Sequence, residues 1–69
     1  MSTIAPQLQV GTVISLSSTA LNLTDVQAMV TRLNVLSIHD SFFCETTTGE
    51  QYAFFGDDVD ECTTIISQP

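Results

Sequence analysis

Residues 42–55 read Phe42-Phe43-Cys44-Glu45-Thr46-Thr47-Thr48-Gly49-Glu50-Gln51-Tyr52-Ala53-Phe54-Phe55, two strand-forming runs around a turn that carries one glycine. Aromatic residues and threonine suit a pleated, half-buried surface, and glycine supplies the positive φ that a short hairpin loop needs. With Thr47, Thr48 and Gly49 as the loop, Thr46 pairs Glu50 and Cys44 pairs Tyr52. Side chains alternate along a strand, so Phe42, Cys44, Tyr52 and Phe54 share one face, while Phe43, Glu45, Gln51, Ala53 and Phe55 share the other. Aromatic rings on both faces of one hairpin imply that one face is core and the other meets a partner.

After the hairpin, Gly56 leads into Asp57-Asp58-Val59-Asp60-Glu61 and then Cys62-Thr63-Thr64-Ile65-Ile66. The acidic run fits one tight helical turn capped through Asp58 and Glu61, but the β-branched residues that follow predict a last strand. Before the hairpin, Leu8, Val10, Thr12, Ile14 and Leu16 alternate with Gln9, Gly11, Val13, Ser15 and Ser17, the pattern of a first strand with the leucine set inward.

The middle supports two readings. Thr24-x-x-Gln27 has the form of a helix capping box with Leu23 as its staple, and Val26, Met29, Val30 and Leu33 fit helical spacing. Against this, Val30, Thr31, Val35 and Ile38 favour a strand, and Met29, Thr31, Leu33 and Val35 alternate almost as well. The composition leans towards strand, since Val, Ile, Thr, Phe and Tyr account for 26 of 69 residues and lysine is absent. The expectation is therefore a mostly β single domain over residues 8–67 behind a flexible N-terminus at 1–7. If the middle is a strand, the order strand, long loop, strand, hairpin, one helical turn, short final strand resembles the small SH3-like five-stranded barrels in architecture. If it is a helix, the result is an α+β domain of strand, helix, hairpin and strand.

Composition narrows the function. The apolar share of 43% is too high for a disordered chain. Eight acids against one base, Arg32, give a net charge of -7, which opposes direct binding to nucleic acid or to an anionic membrane surface. The stretch from Ser2 to Thr24 has neither the basic start nor the unbroken apolar run of a secretory signal, and its polar residues exclude a membrane-spanning helix. The expected compartment is the cytoplasm, the host's if the chain is phage-encoded. In that compartment Cys44 and Cys62 are read as reduced packing residues.

No catalytic constellation is visible. His39 precedes Asp40 directly, and neighbours on extended chain point to opposite sides, so they do not form a base and its orienter. Cys44 has no cationic neighbour in sequence, and the chain has no Gly-rich phosphate loop. The protein is expected not to be an enzyme and to need no cofactor.

Charge is unevenly placed. Residues 41–69 hold Glu45, Glu50, Asp57, Asp58, Asp60 and Glu61 and no base. Such a run keeps a small domain soluble, and its spacing matches no EF-hand, so no metal is expected. It also suits a basic protein surface, with Phe43 and Phe55 as apolar anchors and Glu45, Asp57, Asp58, Asp60 and Glu61 as steering charges. In size and charge the chain resembles the DNA-mimic and host-takeover inhibitors of phages, a class without a shared fold, which implies a small acidic protein that inhibits or modulates a basic, nucleic-acid-binding host protein. The alternative is a small structural subunit of a homo-oligomer or virion-type assembly, suggested by the Ser and Thr content and the uncharged N-terminal third.

Overall fold

The computed structural model describes residues 4–33 and 41–69. His39, Asp40, Val35 and Ile38 lie outside the described residues. Among the described residues five antiparallel strands form one sheet: β1 (Val13–Ser18), β2 (Leu23–Leu33), β3 (Ser41–Thr46), β4 (Gln51–Phe55) and β5 (Thr63–Ser67), in the spatial order β4-β3-β2-β1-β5. One short helix, α1 (Asp58–Cys62), joins β4 to β5. The strand reading of the middle and the predicted order of elements both hold, including the helical turn before a last strand, but the long loop expected between the first two strands is a short turn over residues 19–22. β5 returns to pair with β1.

The alternative with a helix in the middle is overturned. β2 bonds to β1 on one side and to β3 on the other, and a central strand with two ladders gains more than a capping box offers an isolated helical turn. The expected capping pair is absent as well: Thr24 lies exposed on the strand, and Asp25 takes φ 48° with its N–H donating to Ser17 Oγ at 3.1 Å. Its eleven residues let β2 serve both halves of the sheet, β1 along its first part and β3 along its last.

The hairpin has the predicted register, with Phe42 opposite Phe54, Phe43 opposite Ala53 and Cys44 opposite Tyr52. Gly49 sits at φ 91°, and the loop closes through Thr46 N–H to the Glu50 carbonyl at 2.8 Å and Gly49 N–H to the Thr46 carbonyl at 3.0 Å. Thr46 Oγ1 also accepts the Glu50 N–H at 3.1 Å, which fastens the turn from inside.

The core gathers Leu8, Ile14, Leu16, Ala28, Val30, Phe42, Cys44, Phe54 and Val59, with Ile4, Leu23, Val26, Tyr52, Cys62 and Ile65 packed against it. The rings of Phe42 and Phe54 meet at 5.6 Å between centroids, in the range favoured by aromatic pairs. Of the five residues expected inward on the first strand, Leu8, Thr12, Ile14 and Leu16 are buried, but Val10 is 60% exposed. Gly11 explains the correction, because its φ of 99° breaks the pleat and turns the chain between Val10 and Thr12. In β2 the buried set is Ala28 and Val30, so Met29 between them faces outward. The register then shifts between Val30 and Arg32, which puts Arg32 opposite Phe43 and Leu33 opposite Phe42 and ends the simple alternation.

The first seven residues were expected to be flexible. Within them, Ala5–Gln7 form a short 3-10 turn, and Ile4 donates its N–H to Asp60 Oδ1 at 3.0 Å. Gln68 Nε2 donates to the Gln7 carbonyl at 3.0 Å, and Thr12 Oγ1 donates to Gln68 Oε1 at 2.8 Å, which ties the last residues of the chain to the segment that leads into β1.

Candidate functional site

The faces of the sheet can be assigned row by row, because residues paired across antiparallel strands point the same way. One outward row runs Val13, Met29, Glu45, Gln51 across four strands. The next runs Arg32, Phe43, Ala53, and Phe55 lies outward at the end of β4 opposite Ser41. Phe43 is half-buried and Phe55 is 49% exposed, so the hairpin does divide its rings between core and surface. Met29, at 50% exposure, adds an apolar side chain to this outward face that the sequence reading did not include among the expected site residues. Its outward set was visible as an alternation in the sequence, but which set faced out needed the pairing with β3.

Charge is not uniform over this face. Arg32, the single base of the chain, stands directly across from Phe43, while Glu45 stands one row away. A positive charge brought to this face is therefore repelled at the Phe43 row and attracted at the Glu45 row. Glu45 Oε1 accepts from Gln51 Nε2 at 3.4 Å and remains exposed.

The four acids around α1 separate into roles. Asp57 is the N-cap by position, though without a side-chain cap bond, which corrects the expected capping through Asp58. Asp58, Asp60 and Glu61 fall in the first turn, where the N–H ends of the helix favour negative charge, and this offsets part of their mutual repulsion. Asp60 is half-buried and holds the Ile4 N–H, a structural task. Asp58 and Glu61 face the β1–β2 connection and share a cleft of about 530 Å³ with Ser17, Ser18, Thr19, Thr24 and Cys62. Among the described residues no three His, Cys, Asp or Glu side chains converge as a metal site requires, and no helix is long and apolar enough to cross a membrane.

A smaller groove of about 310 Å³ opens by the outward row, lined by Val13, Gln27, Met29, Thr31, Glu45 and Thr47, with Ala28 and Thr46 behind. Of the predicted site residues it takes only Glu45, whereas the cleft at α1 takes Asp58 and Glu61. Phe43 and Phe55 line neither.

Both cysteines are free thiols. Cys44 is fully buried, and removal from water pushes its thiol up to about 11, only partly opposed by its hydrogen bond to the Tyr52 carbonyl at 3.7 Å. A thiol held protonated in this way is a packing group rather than a nucleophile. The Tyr52 phenol is raised too, first by loss of solvent and then by Glu50, whose Oε2 accepts its proton at 3.2 Å. Comparison with known proteins gives no match, whether to a protein family, to curated proteins or to solved structures.

Proposed function

We propose that this protein is a small, acidic, non-enzymatic binding protein that docks on the basic surface of another protein and thereby inhibits or modulates it, acting in the cytoplasm. The observation that carries the reading is the outward face of the sheet, where Met29 and Phe55 present exposed apolar surface and Glu45 stands across from Met29, on a body of net charge -7. Exposed apolar side chains on a small domain mark interaction surfaces, and an excess of acid selects and steers a basic partner. A nucleic-acid-binding host protein has the kind of surface that fits, and a DNA-mimic mode of inhibition follows from it.

The test compares the protein with a triple variant, Asp57→Lys, Asp58→Lys and Glu61→Lys, with Asp60 left intact for its bond to Ile4. Affinity capture from native-host lysate at low and high salt should retain a basic protein with the parent chain. The variant should lose that protein, and high salt should release it from the parent, because exposed charges are screened. Capture indifferent to both changes would show that the acids only keep the domain soluble.

A second reading, a structural subunit of a homo-oligomer, is favoured by β5. It ends the sheet with five uncharged residues, Thr63–Ser67, and so lacks the charges that usually blunt an edge strand. Light scattering separates the readings, since a monomer across the micromolar range excludes a subunit role.

A further inference from the structure

The groove at the outward row has an apolar wall, Val13 and Met29, beside one charged side chain, Glu45. Its hydroxyls are largely committed within the fold: Thr31 Oγ1 donates to the Phe43 carbonyl at 3.3 Å, and Thr46 Oγ1 engages Thr48 Oγ1 at 2.9 Å and the Glu50 N–H. What it offers a ligand is therefore an apolar wall and one anion side by side, with the neutral polar side chains of Gln27 and Thr47 completing the lining. At about 310 Å³ it stands at the lower end of ligand pockets and suits a side chain of a partner better than a large cofactor.

We propose that this groove is the anchoring point of the basic partner, receiving an aliphatic side chain against Met29 and Val13 while an adjacent lysine or arginine pairs with Glu45. This rests on the proposed function and names the place and the chemistry of its contact. Charge complementarity selects the occupant. A second copy of the chain would bring another Glu45 and another net charge of -7 to the same spot, which repels. The Phe43 row, expected from sequence to be the anchor, carries Arg32 and turns a cation away. The pairing also divides the work as interfaces usually do, with the apolar wall holding the complex and the carboxylate choosing its sign.

Amide chemical-shift titrations with three capped synthetic peptides, Lys-Leu-Lys, Lys-Gly-Lys and Glu-Leu-Glu, test it at low and high salt. Lys-Leu-Lys should bind best and move the signals of Val13, Gln27, Met29, Thr31 and Glu45 as one cluster. Met29→Thr, which keeps a strand former and leaves only Val13 in the apolar wall, should weaken it by about tenfold. Glu45→Gln, which keeps an amide partner for Gln51, should weaken it by about two- to fivefold at low salt, a difference that disappears at high salt. Shifts confined to the cleft at Asp58 and Glu61 would overturn the groove while leaving a basic partner in place. If no peptide binds, the groove falls while the lysate capture still decides the proposed function, and if Glu-Leu-Glu binds as well as Lys-Leu-Lys, the groove and the proposed function both fall. Concentration-dependent shifts of the same cluster without peptide would make the occupant a second copy and overturn the proposal.

Discussion

Phe42 and Phe54 are 0% and 3% exposed, whereas their chain neighbours Phe43 and Phe55 are half-buried and 49% exposed. Residue type is the same, so the strand's two-residue period alone decides which rings hold the fold and which remain available to another molecule. The inner pair closes the core between β3 and β4, and the outer pair adds surface that folding does not need.

The sharpest way to break this comparison is to truncate one ring of each kind. Phe42→Ala should cost about 3 to 5 kcal/mol and leave little folded protein, because a buried ring leaves a cavity behind. Phe55→Ala should shift stability by less than about 1 kcal/mol, near the usual range for surface changes. Urea unfolding of both variants decides the matter, and similar costs would mean that the outer ring belongs to the core. Next in size is Gly49→Val. A Cβ at Gly49 would meet open space, so any penalty comes from the backbone at φ 91° alone, about 1 to 3 kcal/mol. A smaller loss in thermal unfolding would show that the turn relaxes to another type.

A further test probes the inner face by pH. With Cys44 raised to about 11 from an ordinary value of 9.0, the folded chain keeps a proton that the unfolded chain releases. Stability should therefore be insensitive to this thiol below pH 9, fall between pH 9 and 11, and level off above. Tyr52 is raised as well and gives a decline of the same sign at alkaline pH. Comparing the parent with Cys44→Ala isolates the thiol, and an alkaline slope identical in the two would place its cause elsewhere.

The hairpin was legible in the sequence because its information is local: Gly49 fixes the turn, the turn fixes the register, and the register fixes the faces. The last strand was legible for a similar reason, as Thr63, Thr64, Ile65 and Ile66 are poor helix formers directly after a helical turn. β2 was ambiguous because Thr24 and Gln27 form a valid local helix signal that only tertiary pairing overrides. Val10 was misplaced because alternation continues in sequence across Gly11, where the backbone does not continue straight. For the site, the sequence supplied the residue types and their charge. It did not show that Arg32 stands across from Phe43, that Met29 joins Glu45, or that Asp60 is engaged by Ile4, since each pairing joins parts of the chain far apart.

The placement of β5 also orders events in time. β3 and β4 meet across a loop of a few residues, and their hairpin can form on the microsecond scale. β5 reaches β1 only after nearly the whole chain has been laid down between them, and the entropy of closing that large loop must be met before its ladder returns anything. The hairpin is thus the early, local event, and docking of β5 the late one. Until β5 docks, the edge of β1 that it covers stands open, and the half-folded chain is at its most vulnerable to pairing with its neighbours.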